Sequence, residues 1–189
     1  MRFLLTLLAA MVASLGLGVG SAWYLIAAPH VGTETVGAWR SLPTVDAETA
    51  SPYTRARVAR IGELGMGTGL GLTFTAVGDD GGRRLDGRCD YAIEGVSPTA
   101  RLWTLVATDG NGRAATTPGG RTAVDSRTAL RDGAGRFTVT AAASARPGNW
   151  LPVPAGGGFT LTLRLYDTPA AASADRLPVL PAIVRKDCP

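Results

Sequence analysis

The sequence predicts an all-β fold, an antiparallel β-sandwich with one short helix, behind a single N-terminal transmembrane helix. Three observations predict it: an apolar leader without charges, short stretches in which apolar and polar residues alternate, and clusters of glycine, aspartate and asparagine between those stretches. Alternation at period two is typical of strands with one buried face, and such clusters are typical of turns. We therefore divide the chain into an anchor at residues 1–28, a stalk at 29–50 and the sandwich domain at 51–189.

The leader is long enough to cross a bilayer. No charged residue occurs from position 3 to 28, and at about 1.5 Å per residue a helix of this length reaches roughly 39 Å, more than the ~30 Å of the hydrocarbon core. Trp23 and Tyr24 lie near its far end, where aromatic residues anchor helices at the interface, and Arg2 marks the cytoplasmic side. We expect a single-pass signal anchor, held in the membrane through residues 3–28, with the C-terminal domain outside the cytoplasm.

Small residues in the leader leave two further points open. Gly20-Ser21-Ala22 is a small-residue site at which a signal peptidase could remove the leader. Gly16 and Gly20 lie four residues apart, a spacing that lets two membrane helices approach closely, so a homodimer through this face is a hypothesis. The alternative is that glycine is simply common in membrane helices and in this chain.

The exported part is expected to begin with a stalk and a short helix. The stalk carries glycine, proline and threonine without a sustained period. Ser51 is a suitable N-cap and Pro52 a suitable first helical residue, and we expect the helix to end near Gly62 or Gly65.

After the helix the period changes to two. Alternating stretches cover residues 73–77, 89–93, 102–106, 137–141 and 159–165, with turn clusters between them. The most regular of these stretches places four large apolar side chains on one face: Phe159, Leu161, Leu163 and Leu165. Each is predicted to be a core residue, and full burial of such a side chain is worth roughly 1.5 to 3 kcal/mol.

The two cysteines, Cys89 and Cys188, both fall on the exported side. In an oxidising compartment a pair of lone cysteines favours a disulfide, which here would close a loop of about 100 residues, worth up to ~4.7 kcal/mol in the chain-entropy model. The alternative is two thiols too far apart to meet.

The charge of the chain does not favour a nucleic-acid partner. The net charge is +4, but 18 of the 19 basic residues are arginine, which indicates a compositional bias of the whole chain. The densest basic stretch, residues 83–88, lies among four aspartates at positions 79, 80, 86 and 90, as in a solvated turn of mixed charge. We predict no nucleic-acid partner.

Catalytic side chains are scarce. The one histidine, His30, lies beside the predicted membrane span, which excludes a histidine-dependent triad or a histidine-rich metal site in the domain. No nucleophile elbow, zinc-protease helix or phosphate loop occurs, so we predict no catalytic residue, no metal and no cofactor. One alternative stays open, a hydrolase that pairs Glu94 with Asp109 or Asp167.

Large polar and aromatic side chains on the strands are the candidates for a ligand groove. Trp103, Trp150 and Tyr166 lie on or beside predicted strands, and Arg164 shares the polar face of the strand at 159–165. Exposed aromatic residues suit a glycan or a peptide. A lone tryptophan in a sandwich more often packs in the core.

Four segments resemble a known family: SPYTRARVARIGELG, DDGGRRLDGRCDYAIEG, PTARLWTLVATDGNG and GNWLPVPAGGGFTLTLRLYDTP. Together, and in this order, they are similar to the bacterial domain-of-unknown-function family 1214. The resemblance covers residues 51–167 and implies a jelly-roll-like β-sandwich, an envelope location and no established activity. It adds Tyr91 and Asn149 to the groove candidates, although a structural corner would explain the NWLP segment equally well.

Together these observations lead to a hypothesis about function. We expect a non-enzymatic module that binds an envelope glycan or another envelope protein. Since the family is bacterial, we expect a single pass through the bacterial inner membrane, with the C-terminal domain in the periplasm. The alternatives are an envelope hydrolase that uses paired carboxylates and a purely structural anchor domain.

Overall fold

The structure is a computed structural model, and it describes residues 2–27, 34–41, 51–61, 66–67, 69–117, 119–171 and 178–188. Its helices are α1 (Arg2–Ala27), α2 (Pro52–Ile61) and a 3-10 turn at Pro169–Ala171. Its strands are β1 (Thr35–Val36), β2 (Trp39–Ser41), β3 (Gly71–Ala76), β4 (Asp90–Val96), β5 (Leu102–Thr108), β6 (Ala123–Asp125), β7 (Arg136–Ala142), β8 (Asn149–Pro152), β9 (Thr160–Tyr166) and β10 (Ala182–Asp187).

The N-terminal helix α1 has the length and composition of a membrane-crossing helix. It runs for 26 residues with a mean hydropathy of 2.1 in its most apolar window, and none of that window is buried. The predicted apolar helix is therefore present. These features fit a membrane span and a signal sequence equally.

The ten described strands form two sheets. The six-stranded sheet has the order β1-β2-β3-β9-β5-β6, and the four-stranded sheet has the order β10-β4-β7-β8. Side chains from both sheets meet in one core: Trp103 of β5 stacks on Phe137 of β7 with the ring centroids 4.9 Å apart. The prediction of a mostly β chain with two sheets behind an apolar helix is confirmed.

The strand β9 shows why the alternating pattern was informative. Leu161 and Leu165 are fully buried, and Phe159 and Leu163 are at most 4% exposed. Thr162 and Arg164 alternate with these core residues, and strand alternation directs their side chains to the other face of the sheet. The four predicted core residues of this strand are confirmed.

Part of the predicted stalk belongs to the six-stranded sheet, so the boundary at residue 51 is wrong. The strand β2 pairs with β3 through Arg40 and Ser41. The Trp39 side chain is 1% exposed, and its indole Nε1 donates a hydrogen bond to the Pro181 carbonyl oxygen at 2.7 Å. A single buried tryptophan explains why this segment joins the domain, and periodicity cannot detect a three-residue strand. Residues 42–50 of the predicted stalk lie outside the described residues.

One strand pair departs from the predicted antiparallel arrangement. β7 and β8 pair in parallel, from Val139 opposite Asn149 to Ala142 opposite Pro152. Residues 143–148 carry the chain back along β7 before β8 begins, and Gly148 turns it with a φ of +81°. A positive φ of this kind favours glycine, so the sequence supports a reversal at that position.

The predicted disulfide is present between Cys89 and Cys188, which are 99 residues apart. Cys89 precedes β4, and Cys188 follows β10, the edge strand of the four-stranded sheet. The disulfide therefore holds the C-terminal end of the described chain against the start of β4.

Candidate functional site

A groove of about 650 Å³ lies along the four-stranded sheet. Its lining combines hydroxyl groups, side chains of both signs of charge and apolar surface. The residues that we use below are Glu94, Leu130, Arg131, Asp132, Arg136, Thr138, Thr140 and Asn149.

The floor of the groove follows from strand alternation. Glu94 of β4 lies opposite Thr138 of β7. Their neighbours Ile93 and Val139 are fully buried in the core, so Glu94 and Thr138 point away from it. Thr140 continues the same face, which gives the groove a polar floor.

Asn149 fixes one wall of the groove. Its side-chain oxygen accepts a hydrogen bond from the Leu130 backbone N–H at 2.7 Å, and its side-chain nitrogen donates to the Leu130 carbonyl oxygen at 2.9 Å. The same nitrogen donates to the Thr138 carbonyl oxygen at 3.0 Å. The amide of Asn149 is therefore committed to backbone groups, and its role in the groove is to hold the loop at Leu130 beside β7 and β8.

The charged residues of the groove come from the same loop and from β7. The Asp132 carboxylate accepts hydrogen bonds from the backbone N–H groups of Ala134 and Arg136, which shapes the turn into β7. Arg131 donates to the Ser126 carbonyl oxygen. Within the part of the chain that the structure describes, the guanidinium of Arg136 has no hydrogen bond or ion pair. Arg136 is therefore a cation available to a ligand.

Glu94 forms a weak, exposed ion pair. Its carboxylate lies 3.9 Å from the Lys186 ammonium, and both side chains are roughly half exposed, at 41% and 53%. An exposed pair at this separation contributes little, so Glu94 can accept a hydrogen bond from a ligand.

The six candidate groove residues do not converge. Tyr91 and Trp103 are fully buried in the core, so neither lines a surface groove. Trp103 donates from its indole Nε1 to the Ser97 hydroxyl at 2.8 Å, and the Tyr91 hydroxyl accepts a hydrogen bond from the Asp86 backbone N–H at 2.9 Å. Both are large aromatic side chains whose polar atoms find partners within the domain.

The remaining candidates lie on different sheets. Trp150 is half-buried on β8, where its indole Nε1 donates to the Ala142 carbonyl oxygen at 3.0 Å. Arg164 and Tyr166 are half-buried on β9 of the six-stranded sheet, opposite Thr104 and Leu102 of β5. Of the six residues, only Asn149 contributes to the groove on the four-stranded sheet.

The carboxylates proposed for hydrolysis are also separated. Asp109 follows β5 and accepts hydrogen bonds from the backbone N–H groups of Arg113 and Asn111, both at 2.9 Å. The bond from Arg113 is the main reason that the pKa of Asp109 lies below its usual value. Asp167 follows β9 and forms an exposed ion pair with Arg101 at 3.8 Å. The acidic residue that shares a groove with Glu94 is instead Asp132.

The carboxylates of Asp79 and Asp80, in the turn before β4, form ion pairs and hydrogen bonds within the domain. The Asp79 carboxylate, 1% exposed, pairs with Arg83 at 3.1 Å and with Arg185 of β10 at 3.2 Å. Burial raises the pKa of Asp79, but the Arg83 N–H and the two guanidinium groups outweigh burial and the pKa is lowered. Asp80 accepts hydrogen bonds from the N–H groups of Ala38 and Ile183, so it connects the turn before β2 to β10.

Among the described residues, no three histidine, cysteine, aspartate or glutamate side chains lie together so as to hold a metal ion.

Sequence reasoning missed most of the groove. The sequence identifies Glu94 only as one member of a possible carboxylate pair. It does not identify the other five residues as site residues: Arg131, Asp132, Arg136, Thr138 and Thr140. Alternation at 137–141 was the available signal for the two threonines, because it faces them away from the core. Nothing in the local pattern indicates that the loop at Leu130 returns to the sheet.

Comparisons with other proteins agree with the fold and leave the function open. The model of the family DUF1214, Protein of unknown function, matches residues 71–170, which is more than half of the 189 residues. A comparison with curated proteins finds no match.

Two crystal structures are similar to this chain. The VPA0106 protein from Vibrio parahaemolyticus is 24% identical with a TM-score of 0.59, over 74% of this chain and 36% of that chain. A putative uncharacterized protein from Burkholderia cenocepacia is 20% identical with a TM-score of 0.49, over 89% of this chain and 40% of that chain. This chain thus matches well under half the length of either protein, and the likeness to the first concerns the fold alone.

Proposed function

Because the chain belongs to the DUF1214 family of proteins of unknown function, we propose a function from its own geometry: a non-enzymatic, membrane-tethered module of the bacterial envelope that binds a glycan. The observation that carries this proposal is the groove on the four-stranded sheet, which has threonine hydroxyls on its floor. Among the described residues the Arg136 guanidinium has no hydrogen bond or ion pair, and the Glu94 carboxylate has a weak one with Lys186. In this proposal the two sheets stack as a jelly-roll-like sandwich that presents the groove.

The chemistry of the lining suits a hydrophilic ligand. Thr138 and Thr140 can donate and accept hydrogen bonds, as sugar hydroxyls require. Leu130, which is 67% exposed, offers an apolar surface for the C–H groups of a sugar ring. Arg136 and Glu94 would bind anionic and cationic substituents, so the best-suited glycan carries both amino and carboxylate groups.

The location in this proposal is the periplasmic side of the inner membrane. Two features support it: the apolar helix α1, and a disulfide of the kind that persists in oxidising compartments. A reporter enzyme that is active only outside the cytoplasm, fused after Pro189, should be active in intact cells. Activity of a reporter that works only in the cytoplasm would contradict this orientation.

Binding can be tested with soluble fragments of the cell-wall glycan, whose peptide stems carry amino and carboxylate groups. We expect the detergent-solubilised full chain to bind them in calorimetry, and Arg136→Gln and Glu94→Gln each to weaken binding by roughly tenfold, as expected for a hydrogen bond to a charged group. Arg164→Gln is the matched control, because Arg164 is a half-buried arginine on the other sheet. Absence of binding, or equal weakening by Arg164→Gln, would contradict the proposal.

A hydrolase is the second candidate, because Glu94 and Asp132 line the same groove. Paired carboxylates at a glycosidic bond are the usual machinery for its hydrolysis. Release of new reducing ends from the same glycan fragments, abolished by Glu94→Gln, would identify a hydrolase. Binding without any release supports the binding module.

A further inference from the structure

The short helix α2 is packed against the membrane helix. The two helices α1 and α2 are in contact, and the Arg60 guanidinium carbon lies 4.4 Å from the centroid of the Trp23 ring. Trp23 is close to the C-terminal end of α1. Since tryptophan at the end of a membrane helix lies at the level of the lipid headgroups, α2 is held at that level too.

The charge of α2 is entirely positive. Its sequence PYTRARVARI contains Arg55, Arg57 and Arg60 and no acidic residue. The side chains of Arg55 and Arg60 are exposed, and neither forms an ion pair within the described residues. Some described arginines outside α2 do have an acidic partner, namely Arg83, Arg88, Arg101, Arg146 and Arg185.

Lipid headgroups are the partner that fits this helix. We propose that α2 is an interfacial helix whose arginines bind the phosphate groups of anionic phospholipids in the outer leaflet of the membrane that α1 crosses. Arginine binds phosphate oxygens through two parallel N–H donors, and basic residues beside a membrane helix are attracted by an anionic surface. Tyr53, which is 48% exposed, adds an aromatic side chain suited to the same interface.

Such contacts would position the domain as well as hold it. A helix bound along the membrane surface restricts how far the domain can move from the bilayer. The inference rests on the membrane anchor of the proposed function, and it is independent of what the groove binds.

The test uses the full chain in lipid nanodiscs, of neutral phosphatidylcholine alone or mixed with anionic phosphatidylglycerol. Hydrogen exchange is measured over residues 52–61. We expect exchange to be slower in the anionic discs by roughly tenfold, about the effect of one or two arginines near an anionic surface, and the difference to shrink at high salt.

The variants assign the effect to the arginines of α2. The triple variant Arg55→Gln, Arg57→Gln, Arg60→Gln should exchange equally fast in both lipids. A matched triple variant in exposed turns of the domain should keep the full lipid dependence: Arg113→Gln, Arg121→Gln, Arg127→Gln.

Two results would overturn the inference. Equal exchange of the wild-type helix in both lipids, or a lipid dependence that survives in the α2 variant, would show that lipid phosphates are not its partner. If the intact mass of the purified protein lacks α1 and the protein does not enter the discs, the anchor and the inference both fail. Incorporation without lipid dependence overturns only the inference.

Discussion

The outward faces of the two sheets have similar side chains but different surroundings. On the six-stranded sheet, threonines lie side by side across neighbouring strands, such as Thr75 beside Thr162, with Arg164 and Tyr166 further along β9. On the four-stranded sheet, Thr138 and Thr140 line a groove together with a loop that Asn149 holds in place. Alternation decides which side chains face outward, whereas a groove requires a contact between distant parts of the chain.

Removing the disulfide should have the largest effect on the stability of the four-stranded sheet relative to the six-stranded sheet. The double variant Cys89→Ser, Cys188→Ser releases β10, the edge strand of the four-stranded sheet, whereas the six-stranded sheet has no covalent cross-link because the chain has no other cysteine. We expect a loss of about 3 kcal/mol in the free energy of unfolding, measured by urea denaturation. Hydrogen exchange should accelerate in β10 before it does in β9.

Val179→Ser is a suitable control for that experiment, because the Val179 side chain is 78% exposed near the start of β10. Its effect should stay within about 0.5 kcal/mol. Equal acceleration of β9 and β10 in the disulfide variant would mean that the two sheets open as one unit.

Loss of the Asn149 side chain should have the next largest effect. Asn149→Ala leaves the Leu130 N–H and carbonyl group without their side-chain partner, and we expect a loss of about 2 kcal/mol in stability. The Leu130 amide should exchange faster, and glycan binding should weaken. Asn111→Ala, in an exposed turn, is the matched control. Unchanged exchange at Leu130 would show that the loop is held by other contacts.

The fold was largely predictable because one-sided burial leaves a local signal. The large residues of β9 repeat at every second position, so the core face could be assigned from sequence. The disulfide could be predicted because only one pairing exists for two cysteines. The strands of the predicted stalk could not, since β1 and β2 are too short to show a period.

The site was much less predictable, and Trp103 and Asn149 show why. Trp103 has the composition of a ligand contact, but its indole N–H is satisfied by Ser97, so it can be buried completely. Asn149 was a candidate for ligand binding, but its amide bonds to a backbone segment 19 residues away. A sequence pattern identifies residue types and periods, whereas the partner of a polar group depends on the folded chain.

A variant at Trp150, on the four-stranded sheet, can show whether this side chain serves packing or contacts a ligand. Trp150→Phe keeps an aromatic ring but removes the N–H that donates to the Ala142 carbonyl oxygen. We expect a loss of about 1 kcal/mol in stability, from urea denaturation, and no change in glycan affinity. A weaker affinity with unchanged stability would instead place the indole in contact with the ligand, as the sequence first suggested.

The smallest effect on stability is expected from the exposed ion pair between Asp86 and Arg88, which precede β4. The Arg88 side chain, followed by the Arg88 backbone N–H, lowers the pKa of Asp86 to about 2. Because the pKa is lower in the folded state than the ordinary value of 3.8, this carboxylate stabilises the fold at pH values above 3.8, and the contribution is lost as the pH falls towards 2. The Tm difference between wild type and Asp86→Asn should therefore shrink over that interval. The Tm difference between wild type and Arg88→Gln should shrink over the same interval, because this variant removes the main cause of the lowered pKa of Asp86. A Tm difference that stays constant down to pH 2 would mean that the pair contributes nothing to stability, as many exposed ion pairs do.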